Sequence, residues 1–183
     1  MKQTSDRYHS LSITIHWLTT FVLVLVYASI FLREIFPKGS ELRDGLKMWH
    51  FTFGAIVFLL LLIRLPLPFL FPPPPILPPP PRWQKFLASS MHFAIYLFLF
   101  IMPLLGWLAL SAKGKSVLFF GLSIPGPLAI NKALAHQLED WHETIGIIGL
   151  YLIGMHTLAA LFHHYILRDN ALIRMLPRLR RKS

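Results

Sequence analysis

Four stretches of this chain, 11–31, 48–65, 85–110 and 141–167, are apolar over lengths that suit a lipid bilayer better than the core of a small soluble domain. A helix rises about 1.5 Å per residue, so about 20 residues cross a hydrocarbon layer about 30 Å thick. Lipid offers a backbone no hydrogen-bond partners, which leaves only helices or a closed barrel as spanning structures. The 183 residues are 55% hydrophobic with a mean hydropathy of +0.56, well outside the range of ordinary soluble domains. The expectation is an all-α integral membrane protein, a single four-helix bundle over 1–183, without internal repeat, soluble domain or Gly-rich nucleotide loop. The first stretch opens ten residues in and no small-residue cleavage site follows it, so it reads as a retained span.

Charge orients the bundle. The side carrying both termini and the second connection holds eleven basic residues against Asp6 and Asp169, whereas the opposite side holds seven basic against six acidic. Basic residues stay on the cytoplasmic side, so both termini are expected there. The formal charge of +10 is thus mainly topological. The tail RMLPRLRRKS reads as a contact with anionic lipid and not as a nucleic-acid arm. The second connection, PLPFLFPPPPILPPPP at 66–81, is read as an extended strap, because proline cannot continue a helix. Residues 111–140 form the longest external loop. The chain has no cysteine, which removes disulfides, c-type haem attachment and thiolate ligands together.

The chemistry lies in the histidines. His142 and His156 stand fourteen residues apart in WHETIGIIGLYLIGMH. At about 100° per residue that separation is within roughly 40° of whole turns, so both rings leave one helix face, roughly 21 Å apart along the axis. Each therefore needs a partner at its own depth. With the termini inside, His50 in the second span lies near the external face with His142. His16 in the first span lies near the cytoplasmic face with His156. Two imidazoles suit iron and fill both axial positions of a b-type haem, which makes an electron carrier with no open site for oxygen. Two haem b groups, held by His16, His50, His142 and His156, are the expectation. Gly54 and Gly146 each follow a histidine by one turn, where a small residue lets a macrocycle approach the backbone.

The remaining aromatic and charged residues have simpler readings. His92 and His163 are left over at the cytoplasmic end. His9 and His136 lie outside the spans and read as solvated, and His164 as a headgroup contact. Trp17, Trp49, Trp83, Trp107 and Trp141 fall at span edges and read as an aromatic belt. Arg64, closing the second span, reads as a snorkelling anchor.

Together RYHSLSITIHWL, WHFTFGAIVFLLLLIRL, MHFAIYLFLFIMPLLGW, WHETIGIIGLYLIGMH and HHYILRDNALIRMLPR cover nearly the full length. In these segments the chain resembles the bacterial cytochrome b561 family of four-helix di-haem proteins, and is most similar to the branch that includes superoxide oxidase. The resemblance implies a bacterial inner-membrane enzyme that passes electrons from superoxide on the external side to ubiquinone. It also implies haem ligation by His16, His50, His142 and His156, and quinone binding at His92 and His163. The external loop diverges and the proline strap is richer than in the family. External lysines Lys38, Lys47, Lys113 and Lys115 are candidates to steer an anionic donor. The alternative is a haem b subunit linking a dehydrogenase or hydrogenase, docked on the external loop, to the quinone pool. A non-redox four-helix transporter is a third class, which a b-type spectrum eliminates.

Overall fold

The architecture comes from a computed structural model of the chain and is described for residues 6–119 and 122–177. Lys2 and the basic tail from Arg178 onward, counted above for charge, lie outside the described residues. Helices α1 (Ser10–Arg33), α2 (Glu41–Arg64), α4 (Arg82–Ala112) and α5 (Lys132–Phe162) are the long elements. Their apolar spans are long enough to cross a membrane, and the fold is a helical membrane bundle. Between α2 and α4 lies a single helical turn, α3 (Leu67–Leu70). Strands β1 (Val117–Phe119) and β2 (Leu122–Ile124) pair antiparallel between α4 and α5, with Val117 opposite Ile124.

Helix ends run beyond the apolar stretches because capping, and not hydropathy, decides where a helix starts. Ser40 caps α2 by accepting from the Arg43 N–H (3.4 Å), and Glu41 and Asp44 in the first turn favour the positive end of its dipole. Asn131 caps α5 by accepting from the Leu134 N–H (3.0 Å), so the helix starts at Lys132, nine residues before the apolar run at Trp141. The connection between α4 and α5 is therefore shorter than 111–140, and its hairpin is a feature that the hydrophobic pattern does not announce.

Helix α1 packs chiefly on α2 and α4 on α5, and α2 against α4 joins the two pairs. The main core sits at that seam: Ile15 and Val22 of α1, Val57, Leu60 and Leu61 of α2, and Phe98 and Leu99 of α4. Between membrane helices, close packing replaces the hydrophobic drive, so small residues mark contacts. At Gly149 of α5 a β-carbon would stand 2.0 Å from the Phe98 ring of α4, so only glycine admits this approach. A second cluster, Ala109, Ala112, Ala135 and Leu138, holds α4 to α5 beside the hairpin. Large apolar side chains such as Phe93 (69% exposed) and Tyr151 (70%) face outward, as lipid requires.

The opposite end, where both termini meet, is tied by polar contacts across the strap. Asn170 accepts from the Leu77 N–H through its side chain (2.8 Å), and its own N–H donates to the Leu77 carbonyl (3.2 Å). Arg174, buried, donates to the Pro74 carbonyl and lays its guanidinium 5.3 Å from the Tyr8 ring centre. The Tyr8 N–H donates to the Arg174 carbonyl (3.1 Å), and the Trp17 indole to Met175 (2.8 Å). His9 is exposed but not merely solvated: it caps α1 and stacks on Phe71 at 3.8 Å. The strap is thus a fastened part of the bundle, opening with the turn α3. Arg174→Ala should destabilise the detergent-solubilised protein by about 2–3 kcal/mol, because a buried carbonyl and a ring lose their partner. Thermal unfolding followed by intrinsic fluorescence checks this, with a drop in Tm of several degrees expected.

Candidate functional site

The two histidine pairs drawn from helix depth are adjacent in space. His50 of α2 and His142 of α5 meet at the hairpin end with ring centres 6.1 Å apart. His16 of α1 and His156 of α5 meet at the terminal end with ring centres 6.5 Å apart. A metal about 2 Å from each imidazole nitrogen, which lies about 1.2 Å from its ring centre, requires a separation of roughly 6.4 Å. Both spacings match a single ion between two rings. No group of three or more His, Asp or Glu among the described residues is arranged to hold a metal ion by itself. A centre that brings its own equatorial ligands, as haem does, would need only two protein nitrogens, which each pair could supply.

Local hydrogen bonding sets the rings. The His50 Nδ1 lies 3.0 Å from the Val26 carbonyl, which places the proton on Nδ1 and leaves the Nε2 lone pair for a metal. His16 and His142 each carry a buried Nδ1 without a hydrogen-bond partner, although the Met102 carbonyl lies near His142. A buried imidazole without protein partners is costly unless something else binds the ring. At Gly106 of α4 a β-carbon would stand 3.2 Å from His142 Cε1, so the absence of a side chain there leaves His142 its position. Gly54 faces open space and Gly146 only the Met102 methyl at 3.4 Å, so neither glycine is consumed by helix packing. The Tyr27 hydroxyl donates to the Gly146 carbonyl (2.7 Å) and anchors α1 to α5 between the two pairs. These residues fit a haem at each depth.

The terminal-end pair borders a small cavity of about 50 Å³, lined among others by His16, Thr20, Arg64, His92, Tyr96 and His156. His92 stands 5.5 Å from His156, ring centre to ring centre, and is exposed on its other side, so it occupies the cavity mouth. His163 does not join it. It opens the π-helical turn His163–Leu167, with Nδ1 2.5 Å from Oδ2 of Asp169. Asp169 is buried, and its second oxygen accepts from the Ala171 N–H (2.8 Å). His136 is exposed on the first turns of α5, and His164 packs edge-on against Tyr165.

Two single-residue readings change. Trp107 is not a belt residue like exposed Trp49, Trp83 and Trp141, because its indole N–H is buried and unpaired. Arg64 does not reach for headgroups alone; it borders the cavity, with its guanidinium 5.5 Å from the Tyr96 ring centre. Asp169, Gly106 and Tyr27 carried no signal in the hydrophobic pattern, since each acts through a contact remote in sequence. At the hairpin end, Lys47 lies within electrostatic range of Arg33, Lys113 and Lys115, and Glu139 pairs with Lys113 at 2.5 Å. Nearby Glu34, hydrogen-bonded first by Arg33 and then by Arg43, has its carboxyl held below the usual carboxylate range, so one negative charge offsets one of the two arginine charges.

Comparison with known proteins identifies the family of the chain. A family model described as prokaryotic cytochrome b561 matches residues 7–178. The chain is 38% identical over 173 residues to cytochrome b561 homolog 1 of Escherichia coli strain K12, covering 94% of this chain and 98% of that protein. It is 36% identical over 174 residues to the probable superoxide oxidase CybB of Yersinia pestis, covering 95% and 98%. Cytochrome b561 homolog 2 of Escherichia coli strain K12 is 30% identical, covering 94% and 93%.

Proposed function

Since the chain belongs to the prokaryotic cytochrome b561 family, and is therefore a haem b oxidoreductase of the bacterial inner membrane, we propose that it oxidises superoxide at the external face and reduces ubiquinone near the cytoplasmic face. The carrying observation is the pair of histidine couples at two depths, 6.1 and 6.5 Å apart. His50 and His142 hold an external haem b, and His16 and His156 a cytoplasmic-side one, with both termini in the cytoplasm. Haem b held between two imidazoles supplies reversible one-electron chemistry without an open iron position. Two superoxide ions each lose one electron and leave as dioxygen, and one ubiquinone gains both electrons with two protons to become ubiquinol.

The chain's own residues then hold and move protons. His92, at the mouth of the cavity and open on its outer side, hydrogen-bonds a quinone carbonyl arriving from lipid. His163, outside that cavity on the adjoining π-helical turn, is a second quinone contact in this reading. Asp169 keeps the Nδ1 proton of that ring in place, so Nε2 faces the quinone oxygen and exchanges the proton. The Asp169 carboxylate is fixed in turn by the Ala171 N–H. At the external face Lys47, Lys113 and Lys115 raise the local concentration of an anion, with Glu139 offsetting part of the Lys113 charge. Lys38 adds to the same side.

A second reading, a haem b subunit that links a dehydrogenase or hydrogenase to quinone, is favoured by the apolar residues exposed on the hairpin connection, Leu122 (65% exposed) and Ile130 (73%). Superoxide reduction of the purified chain alone separates the two, because the subunit reading requires the docked partner.

Three outcomes are expected. The purified chain holds two haems per polypeptide, and His50→Ala and His142→Ala lose one spectral component while His16→Ala and His156→Ala lose the other; loss of the same component by His50→Ala and His16→Ala sinks the pairing. His92→Ala and His163→Ala keep both spectral components but slow reoxidation by added ubiquinone, on the order of 10²-fold. The rate of reduction by superoxide falls as salt rises, since screening acts over about 8 Å at physiological ionic strength, and falls again on charge reversal at Lys113 and Lys115 but not at Lys85. Stopped-flow absorbance measures both rates.

A further inference from the structure

Arg64 follows His50 by fourteen residues, the same interval that separates His156 from His142. Helices α2 and α5 run in the same direction, so α2 presents histidine and then arginine at the depths where α5 presents histidine twice. Fourteen residues return to nearly the same helix face. Arg64 therefore leaves α2 on the side that carries His50 into the seam, and it borders the cavity shared by His16, His92 and His156. Its guanidinium lies 5.5 Å from the ring centre of Tyr96, which holds it over the cavity.

No carboxylate among the described residues pairs with it. The four ion pairs among the described residues join Arg33 and Arg43 to Glu34, Lys113 to Glu139, and His163 to Asp169. Asp169, at the same end of the bundle, is already committed through both oxygens. The neighbouring hydroxyls of Thr19 and Thr20 donate to the carbonyls of Ile15 (2.7 Å) and His16 (3.0 Å) on their own helix. A cation partly buried at membrane depth without an anion is expensive, and such residues mark binding sites. The planar fork of guanidinium matches a carboxylate or a phosphate, and the cavity that Arg64 borders is the one shared with His16 and His156.

We propose that Arg64 is the carboxylate-binding residue of the cytoplasmic-side haem site, gripping a propionate of the haem held by His16 and His156. The inference rests on that ligand pair. Tyr96 positions the guanidinium on the α2–α4 side of the cavity.

The test uses the purified holoprotein and the rate at which each haem transfers to excess apomyoglobin. Arg64→Gln should speed loss of the cytoplasmic-side haem roughly ten-fold, the scale of one charge-assisted hydrogen bond, and leave the external haem unchanged. It should also lower the midpoint potential of that haem alone, because a nearby positive charge is removed. Arg64→Lys, which keeps the charge and the fold but loses the fork, should fall between. Protein exchanged with haem dimethyl ester supplies the second arm. In the wild type the ester should leave the cytoplasmic-side site about ten-fold faster than haem, and in Arg64→Gln the two should leave at one rate. If Arg64→Gln speeds loss of haem and ester equally, the residue acts through packing and the proposal is overturned. If it alters only ubiquinone kinetics, the anion is not the propionate and the proposal is again overturned. A wild-type protein carrying a single haem overturns the ligand pair itself, an outcome distinct from either.

Discussion

A polar ring inside a bilayer must find a partner, and the arrangement of this bundle follows from how its buried histidines find theirs. The bilayer supplies no water to an imidazole, so each ring needs a protein acceptor, a metal or another polar group. Only His50, of the four paired rings, has a full hydrogen bond to backbone, through Val26. His16 and His142 keep a buried nitrogen unpaired. The helices that present them pack so tightly beside them, with glycine at 106 and 149, that the protein has little freedom to collapse around the rings. Spacing between the partners is therefore imposed by helix packing, which is what a pre-formed cofactor site needs.

The division of labour between the two ends follows from composition. At the hairpin end, α4 and α5 are joined by a thin seam of alanines and a leucine, edged by the Lys113–Glu139 pair. At the other end, hydrogen bonds from Asn170 and Arg174 to main-chain carbonyls fasten a strap whose prolines cannot pair with each other, while Arg7 and Trp17 tie the start of the chain to Leu176 and Met175. Proline carbonyls retain their full acceptor strength, and Arg174 uses one. The strap is thus stiff by composition and fixed by side chains that come from the other end of the sequence.

Much of this was legible in the sequence. Apolar stretches of spanning length require helices, and a fourteen-residue interval on α5 brings two rings to one face at two depths, so the partners His50 and His16 follow from direction alone. The same rule applies to Arg64, but a terminal arginine satisfies the snorkelling pattern equally well, so the interval from His50 does not by itself decide between them. Trp107 departs from the belt pattern for a related reason: position along a helix gives depth, whereas burial of its N–H depends on which neighbour covers that face. The hairpin and the nine added residues of α5 depend on a cap at Asn131 and on short polar turns, which hydropathy does not register. The partnership of His163 with Asp169 required the π-helical turn between them, and that irregularity has no periodic signature.

The fastening of the terminal end has a consequence for how the molecule is made. Arg7 donates to the carbonyl of Leu176, 169 positions later, and Tyr8 to that of Arg174. Arg7 and Tyr8 thus gain these partners only after residues 174 and 176 have been made. The four helices can enter the bilayer one after another and find their neighbours, yet the end that bears His16, His92 and His156 is fastened only once the segment beyond the fourth helix has followed. Residues 169–176 are the latch of that end, and the cavity beside it stays unfastened until they arrive.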